Sequence, residues 1–263
     1  MRGPGPSCRT GKPTSTDILC LAVAALLWSG PPAAAEPTVA PDRLCHVRTP
    51  AFDSPLALPR TAAALRDGKA LTVVALGSSS TQGFGATAPE KAYPAQLAMI
   101  LGQHFPRSPI TVLNRGVGGD TADKMLARLN RDVFAAKPDL VIWQTGTNDA
   151  IRLADPVHFM AVLNVGVRLI LAHGIDLMLM DPQYAPRYVA APRFRDFVET
   201  MRQVAGEHRV ALFRRFEATK AWTEDARFSP VKLTTTDGLH PTDANYRCTA
   251  VLLAEELIRA AAE

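Results

Sequence analysis

The chain has 263 residues, of which 47% are hydrophobic and 21% are charged, and its formal net charge is +4. These proportions are average for a globular protein, so they exclude an intrinsically disordered chain and a collagen-like one. No apolar run approaches the roughly 20 residues that a membrane-spanning helix needs, and the length fits one domain preceded by a tail.

Residues 1–35 have the pattern of an export signal. Three basic residues precede a short apolar stretch over residues 18–28, and the small residues Ala33-Ala34-Ala35 follow it. The stretch is too short to span a bilayer at about 1.5 Å per residue. We therefore expect a signal peptide cleaved before Glu36, and a secreted or periplasmic protein. A lipoprotein signal at Cys20 is the alternative, but Cys20 lies inside the apolar stretch rather than after it.

Removal of the signal would leave two cysteines, Cys45 and Cys248, and a net charge of +2. Two cysteines in an oxidising compartment are a natural pair, so we expect a disulfide between them. Two buried free thiols are the alternative. A net charge so close to zero gives no indication of nucleic-acid binding, which would need a clustered basic face. We also expect no stable membrane insertion once the signal is removed.

The remainder of the chain alternates between two kinds of hydrophobic pattern. Residues 36–66 are rich in proline and predict an extended tail, followed by a domain over 67–263. Short apolar runs predict five strands: Leu71–Leu76, Ile110–Leu113, Leu140–Gln144, Ile175–Met180 and Val210–Phe213. Helical spacing predicts Pro94–Phe105, Asp120–Ala136 with Asp120 as its cap, Pro156–Ala172, Pro192–His208 and a final helix from Asp243. This alternation implies a parallel sheet covered on both faces, with ligand sites at the carboxyl ends of its strands.

Two glycine-rich turns follow the first two predicted strands. The serine turn, Gly77-Ser78-Ser79-Ser80-Thr81-Gln82-Gly83, has glycine at both ends, which lets the backbone turn sharply and expose a nucleophilic serine. A serine-rich surface loop is the alternative, and the spacing does not fit a phosphate-binding loop. The glycine turn, residues 114–121, precedes a helix start, where backbone N–H groups favour negative charge. Glycine turns before helices are common, so this signal is weak alone.

Two further polar motifs follow later in the chain. In Gly146-Thr147-Asn148-Asp149, the Asn148 amide can donate a hydrogen bond to an oxyanion, or the segment is a turn that caps a helix. In the histidine turn, residues 237–240, Asp237 and His240 stand three residues apart, so both can meet at one site. The carboxylate would then hold the imidazole in one tautomer. An Asp-Gly turn with an exposed histidine is the alternative.

The order of these motifs from residue 71 to the C-terminus resembles the SGNH hydrolase (GDSL-like esterase) family. The resemblance implies that Ser79 is the nucleophile, His240 the general base and Asp237 the orienting acid. It implies an oxyanion hole made by the N–H groups of Ser79 and Gly119 and the side chain of Asn148. It also implies an α/β fold, a three-layer sandwich with a five-stranded parallel flavodoxin-like sheet.

One residue departs from the family pattern, since Ser78 stands where the first motif commonly has Asp. That Asp is neither nucleophile nor base in the family's scheme, so the departure affects the hydrogen bonds of the loop rather than the expected chemistry.

The expected activity is that of an exported serine esterase acting through an acyl-enzyme on Ser79, with no metal or cofactor. A small-molecule or glycan ester is the expected substrate, including short-chain and carbohydrate O-acetyl esters. The loop over residues 181–188 follows a strand and should overhang the site, where Tyr184 and Tyr188 either stack on a sugar, wall an acyl pocket or simply pack. An acyltransferase and a non-catalytic glycan-binding module are the alternatives.

Overall fold

The centre of the fold is a parallel five-stranded sheet in the order β2-β1-β3-β4-β5. Its strands are β1 (Leu71–Gly77), β2 (Ile110–Gly116), β3 (Leu140–Gln144), β4 (Asp176–Met180) and β5 (Ala211–Phe213). The computed structural model describes residues 44–46, 51, 58–228 and 233–262, and the predicted export signal lies outside them. This strand order is that of flavodoxin-like doubly wound sheets, so the predicted fold class is confirmed.

Helices cover both faces of the sheet because both faces are apolar. Val73 in β1 and Ile142 in β3 belong to one core, and their chain neighbours Val74 and Trp143 belong to the other. The first core is covered by α1 (Pro59–Arg66), α3 (Tyr93–His104), α10 (Arg215–Glu224) and α11 (Asp243–Ala262). The second is covered by α4 (Ala122–Ala127), α5 (Leu129–Asp132), α7 (Pro156–Ala172) and α9 (Phe194–His208). Burial on two faces explains why these strands have near-continuous apolar sequences rather than alternating ones.

The helix predicted over Asp120–Ala136 is wrong as a single element, because the structure breaks it into α4, α5 and a 3-10 turn over 134–136. The break falls at Arg128, whose side chain turns inward. Its guanidinium donates to Asp120 (2.9 Å), to Asp132 (2.7 Å) and to the carbonyl of Gly77 (3.0 Å). Asp120 therefore pairs with a buried cation instead of capping the helix, and the N-cap position is Thr121.

The remaining predicted strands and helices agree with the structure to within three residues at each end. Five helices were not predicted: α1, α2 (Ser79–Gln82), α6 (Thr147–Ile151), α8 (Pro186–Val189) and α10. Of these, α1 lies at the end of the segment predicted to be extended. It is held to the sheet by Thr61, whose N–H and hydroxyl both donate to the Asp176 carboxylate at 2.8 and 2.9 Å.

A disulfide joins Cys45 to Cys248, as expected from the sequence. Both residues are buried, and the indole N–H of Trp222 donates to the Cys45 carbonyl at 2.8 Å. The bridge therefore ties a segment before the first strand to the last helix. Among the described residues, no helix combines the length and apolar character needed to cross a membrane.

Candidate active site

All four polar motifs lie beyond the carboxyl ends of the strands. The serine turn follows β1, the glycine turn follows β2 and Asn148 follows β3, while the histidine turn precedes α11. Parallel strands end at one edge of the sheet, so motifs up to 161 residues apart in the chain come together there. The structure brings three of the predicted side chains into direct contact: Ser79, His240 and Asp237.

The hydroxyl of Ser79 lies 2.8 Å from Nε2 of His240, and Nδ1 of the same ring is hydrogen-bonded to the Asp237 carboxylate. The other oxygen of Asp237 accepts hydrogen bonds from the Thr235 hydroxyl (2.6 Å) and from the N–H groups of Leu239 (2.9 Å) and His240 (3.0 Å). Desolvation of Asp237 opposes ionisation, but these hydrogen bonds outweigh it and hold the pKa of the carboxyl well below its usual range. A carboxylate at Nδ1 keeps the proton there, so Nε2 presents its lone pair to the serine hydroxyl.

A buried glutamine holds the serine turn in place. Oε1 of Gln144, at the end of β3, accepts from the N–H (2.9 Å) and hydroxyl (3.0 Å) of Ser78 and from the hydroxyls of Ser80 (3.1 Å) and Thr81 (3.1 Å). Ser78 thus replaces the family's usual Asp with a donor that faces this amide. Gly77 is required at the start of the turn, because a Cβ there would lie 2.1 Å from the Thr81 hydroxyl.

A buried cation lies beneath the same turn. Arg215, at the start of α10, is only 2% exposed and donates to the Asp181 carbonyl (3.0 Å) and to the Ser80 hydroxyl (3.3 Å). Burial lowers the pKa of Arg215 and raises the pKa of Asp181 to about 7. The Asp181 carboxyl accepts from the N–H of Phe216 at 2.8 Å. The serine turn therefore rests on a polar network inside an otherwise apolar core.

Sequence reasoning missed both Gln144 and Arg215. A signal for Gln144 was present, since it is a polar residue that ends a strand of four apolar ones. Nothing in the sequence distinguishes Arg215 from a surface arginine.

Three hydrogen-bond donors lie at the same edge of the sheet as the Ser79 hydroxyl. The N–H groups of Ser79 and Gly119 make no hydrogen bond within the part of the chain that the structure describes. Gly119 has a φ of +78°, a conformation that favours glycine. The Asn148 amide donates one hydrogen bond to the Asp120 carbonyl at 2.9 Å, which fixes its orientation and leaves its second N–H for another acceptor.

The turn that carries Asn148 is also joined to the glycine turn. Asp149 accepts a hydrogen bond from the N–H of Ala122, the first residue of α4, at 3.0 Å. This contact satisfies one of the unpaired donors at the helix start. The capping interpretation of the Asn-Asp segment thus holds for Asp149, across 27 residues of chain.

The rim of the site is apolar on one side and cationic on the other. The ring of Phe84 is 59% exposed and lies against the His240 imidazole, with centroids 4.3 Å apart. Gly85 allows this approach, because its φ is +93° and a Cβ there would lie 2.6 Å from the Pro241 carbonyl. On the other side, a guanidinium nitrogen of Arg152 lies 3.2 Å from the point where a Cβ on Gly119 would be.

The loop over residues 181–188 contacts the histidine turn, but its two tyrosines do not face Ser79. Gln183 donates its side-chain N–H to the Leu239 carbonyl at 2.9 Å, next to His240. Tyr188 is fully buried and donates its hydroxyl to the Phe194 carbonyl at 2.9 Å, so the packing alternative holds for it. Tyr184 is half-buried and lies on the side of the loop that faces α10, where its N–H donates to the Thr219 hydroxyl at 2.7 Å.

The described residues contain no cluster of three or more His, Cys, Asp or Glu side chains that could hold a metal ion.

Comparison with known proteins identifies the family to which this chain belongs. A model of the non-GDSL lipase-like family matches residues 44–263, a range that includes every site residue described above. The chain belongs to the non-GDSL lipase-like family. An arylesterase from Vibrio mimicus is 28% identical to this chain over 192 residues, which cover 71% of this chain and 88% of the arylesterase. An acetylxylan esterase from Geobacillus stearothermophilus is 38% identical over 63 residues, or 24% of this chain and 29% of the relative.

The fold is also similar to that of a two-domain esterase active on acetylated mannans. The TM-score is 0.65 at 24% sequence identity, over 78% of this chain and 54% of that one, so this chain spans about half the length of that esterase. Together these likenesses confirm the predicted SGNH-type hydrolase, an enzyme that hydrolyses esters.

Proposed function

We propose that this protein is a serine esterase in which Ser79 is the nucleophile, His240 the general base and Asp237 the orienting acid. The observation that carries the proposal is the continuous hydrogen-bonded chain from the Ser79 hydroxyl through both ring nitrogens of His240 to the Asp237 carboxylate. A serine hydroxyl is a poor nucleophile unless a neighbouring base removes its proton. A half-buried serine at 2.8 Å from an imidazole nitrogen meets that requirement.

The proposed reaction proceeds in two halves. Oγ of Ser79 attacks the ester carbonyl carbon while Nε2 of His240 takes the hydroxyl proton. The tetrahedral intermediate collapses, the C–O bond to the alcohol breaks, and His240 gives its proton to the departing oxygen. Water then loses a proton to His240 and attacks the acyl-enzyme, and the proton returns to Ser79 as the acid leaves. Asp237 stays ionised throughout and stabilises the imidazolium.

The oxyanion of each tetrahedral intermediate would be bound by the N–H groups of Ser79 and Gly119 and by the free N–H of Asn148. What supports this is that both backbone donors lack a partner within the described residues, and that the Asn148 amide is already oriented by its bond to Asp120. Donors fixed before the reaction need no reorganisation when charge develops, which is why such sites lower the barrier.

The proposed substrates are acetyl and other short-chain esters, including O-acetyl groups on carbohydrates, and the protein is proposed to act after export. The likeness to an acetylxylan esterase supports the first point. The disulfide supports the second, because disulfides persist mainly outside reducing compartments.

The test is hydrolysis of p-nitrophenyl esters from acetyl to long acyl chains by the wild-type protein, Ser79→Ala and Ser80→Ala. We expect Ser79→Ala to fall to background. Ser80→Ala is the matched control for the turn, since that hydroxyl faces Gln144 rather than His240, and its kcat should fall far less than that of Ser79→Ala. Mass spectrometry after treatment with a fluorophosphonate should find the label on Ser79. An active Ser79→Ala variant, or a label on another residue, would overturn the assignment.

A further inference from the structure

A groove of about 420 Å³ lies between the N-terminal halves of α9 and α10 and contains none of the residues proposed above for catalysis. Three half-buried aromatic side chains form part of its lining: Tyr184, Phe194 and Phe216. They are joined there by six charged side chains of α9 and α10. The proposed mechanism uses none of these side chains.

The groove opens at the same edge of the sheet as the site. Tyr184 follows the carboxyl end of β4, Phe216 is in the first turn of α10 directly after β5, and Phe194 begins α9. Gln183, the chain neighbour of Tyr184, is hydrogen-bonded to Leu239 in the histidine turn. One short loop therefore contacts the histidine turn with one residue and lines the groove with the next.

The three aromatic rings of the lining pack against one another. The rings of Phe194 and Phe216 stack at 5.9 Å with an interplanar angle of 30°, and Tyr184 meets Phe216 edge-on at 5.6 Å. The backbone N–H of Tyr184 is bonded to α10 at 2.7 Å, which anchors the ring. Its hydroxyl has no hydrogen-bond partner within the described part of the chain. Partly exposed rings of this kind offer an apolar face, and a polar handle, to a ligand that has both.

The charges around the rings balance. Three side chains are acidic and three are basic: Asp196, Glu199, Glu217, Arg195, Arg202 and Lys220. A groove for a nucleic-acid backbone or an anionic lipid surface would carry an excess of positive charge, which this one lacks. The side chain of Glu217 makes no hydrogen bond or ion pair with any described residue, so its carboxylate is available as an acceptor for ligand hydroxyl groups.

We propose that this groove binds the backbone of a neutral oligosaccharide, with sugar rings against the aromatic side chains and hydroxyl groups on Glu217 and the Tyr184 hydroxyl. A sugar ring has apolar C–H faces and a rim of hydroxyls, which is the combination that this lining complements. A glycan bound here would extend over the histidine turn and present an ester to Ser79. That last step rests on the proposed function, whereas the binding itself does not.

The test measures binding and catalysis separately. Isothermal titration of Ser79→Ala with unacetylated xylohexaose and mannohexaose should show binding, which addition of Tyr184→Ala should weaken about tenfold or more because a ring contact is lost. Glu217→Gln, an isosteric change on a helix surface, should also weaken binding and guards against misfolding of the Tyr184→Ala variant. Met99→Ala is the matched control, because Met99 is 48% exposed on α3, away from the groove.

The outcomes distinguish the two proposals. Hydrolysis of p-nitrophenyl acetate by the Ser79-containing protein reports on the proposed function alone. If that hydrolysis occurs but neither oligosaccharide binds, or if Tyr184→Ala and Glu217→Gln bind as well as the Met99→Ala control, the groove proposal is overturned. If the oligosaccharides bind and both Tyr184→Ala and Glu217→Gln weaken that binding, but the ester is not cleaved, the groove proposal stands and the esterase proposal fails.

Discussion

The buried amide of Gln144 should determine both the stability of the fold and the position of the nucleophile. Its Oε1 accepts four hydrogen bonds from the serine turn. Gln144→Met keeps the length and approximate volume of the side chain but removes the acceptor. The variant therefore tests the polar network without creating a large cavity.

The expected loss in the free energy of unfolding depends on whether each of the four donors can find another acceptor. The Ser78 N–H is a buried backbone donor with no alternative acceptor at hand, and leaving such a group unpaired costs about 1–3 kcal/mol. The three hydroxyls can rotate, and Thr81 already lies 3.3 Å from the Tyr93 hydroxyl, so each should lose only about 0.5–1 kcal/mol. We therefore expect a loss of about 2.5–6 kcal/mol in the free energy of unfolding, together with a lower kcat from a displaced Ser79.

Urea unfolding gives the stability, and hydrolysis of p-nitrophenyl acetate gives kcat and KM. Gln96→Met is the matched control. Gln96, in α3, is also buried, at 6% exposure, but its amide makes only one hydrogen bond among the described residues, to the carbonyl of Lys91. That control should lose about 1 kcal/mol and keep full activity. Equal losses in the two variants, or a Gln144→Met protein with wild-type kcat, would refute the positioning role.

Three further predictions concern other parts of the molecule. Asn148→Ala should lower kcat by about 10²–10³ with little change in KM, as measured on p-nitrophenyl acetate, because one oxyanion donor is lost; an unchanged kcat would contradict its role. Replacing Cys45 and Cys248 together by Ala should destabilise the protein by about 5 kcal/mol in urea, since the bridge closes a loop across 203 residues; a loss under about 1 kcal/mol would show that the unfolded chain is not constrained in this way. Burial raises the pKa of Asp181 to about 7, above its value in the unfolded chain. The free energy of unfolding of the wild type should therefore fall by up to about 4 kcal/mol relative to that of Asp181→Asn as the pH rises from about 4 to 7, and no further above pH 7; if the free energies of the two proteins change in parallel with pH, the raised pKa is contradicted.

The alternation of apolar runs and helical spacing was sufficient to predict the sheet. Five strands buried on both faces have to be apolar along their length, and that requirement is visible in the sequence. The site motifs were also visible, because a turn that exposes Ser79 needs glycine beside it and because Asp237 and His240 are close in the chain. Local chemistry of this kind depends on residues a few positions apart, which a sequence displays directly.

The break at Arg128 shows where that reasoning stops. The periodicity of residues 120–136 is that of one helix, yet the guanidinium of Arg128 reaches the carbonyl of Gly77, 51 residues earlier. The energy of a buried cation that finds three acceptors exceeds the small preference for an unbroken helix. No local pattern specifies such a contact.

The sequence alone was sufficient for the class of fold, an alternation of buried strands and helices, whereas the order of the strands and the roles proposed for the site residues were implied by the family resemblance. Only the tertiary structure decided what supports Ser79 from below, since Gln144 and Arg215 lie 65 and more residues away and enter the site through the arrangement of β3 and α10. It also decided that Tyr188 is a packing residue while Tyr184, four positions earlier, lines an open groove. The physical reason is the same in both cases. The partners of a side chain depend on which helices and strands the fold packs together, and positions in the sequence alone do not indicate which distant elements will be in contact.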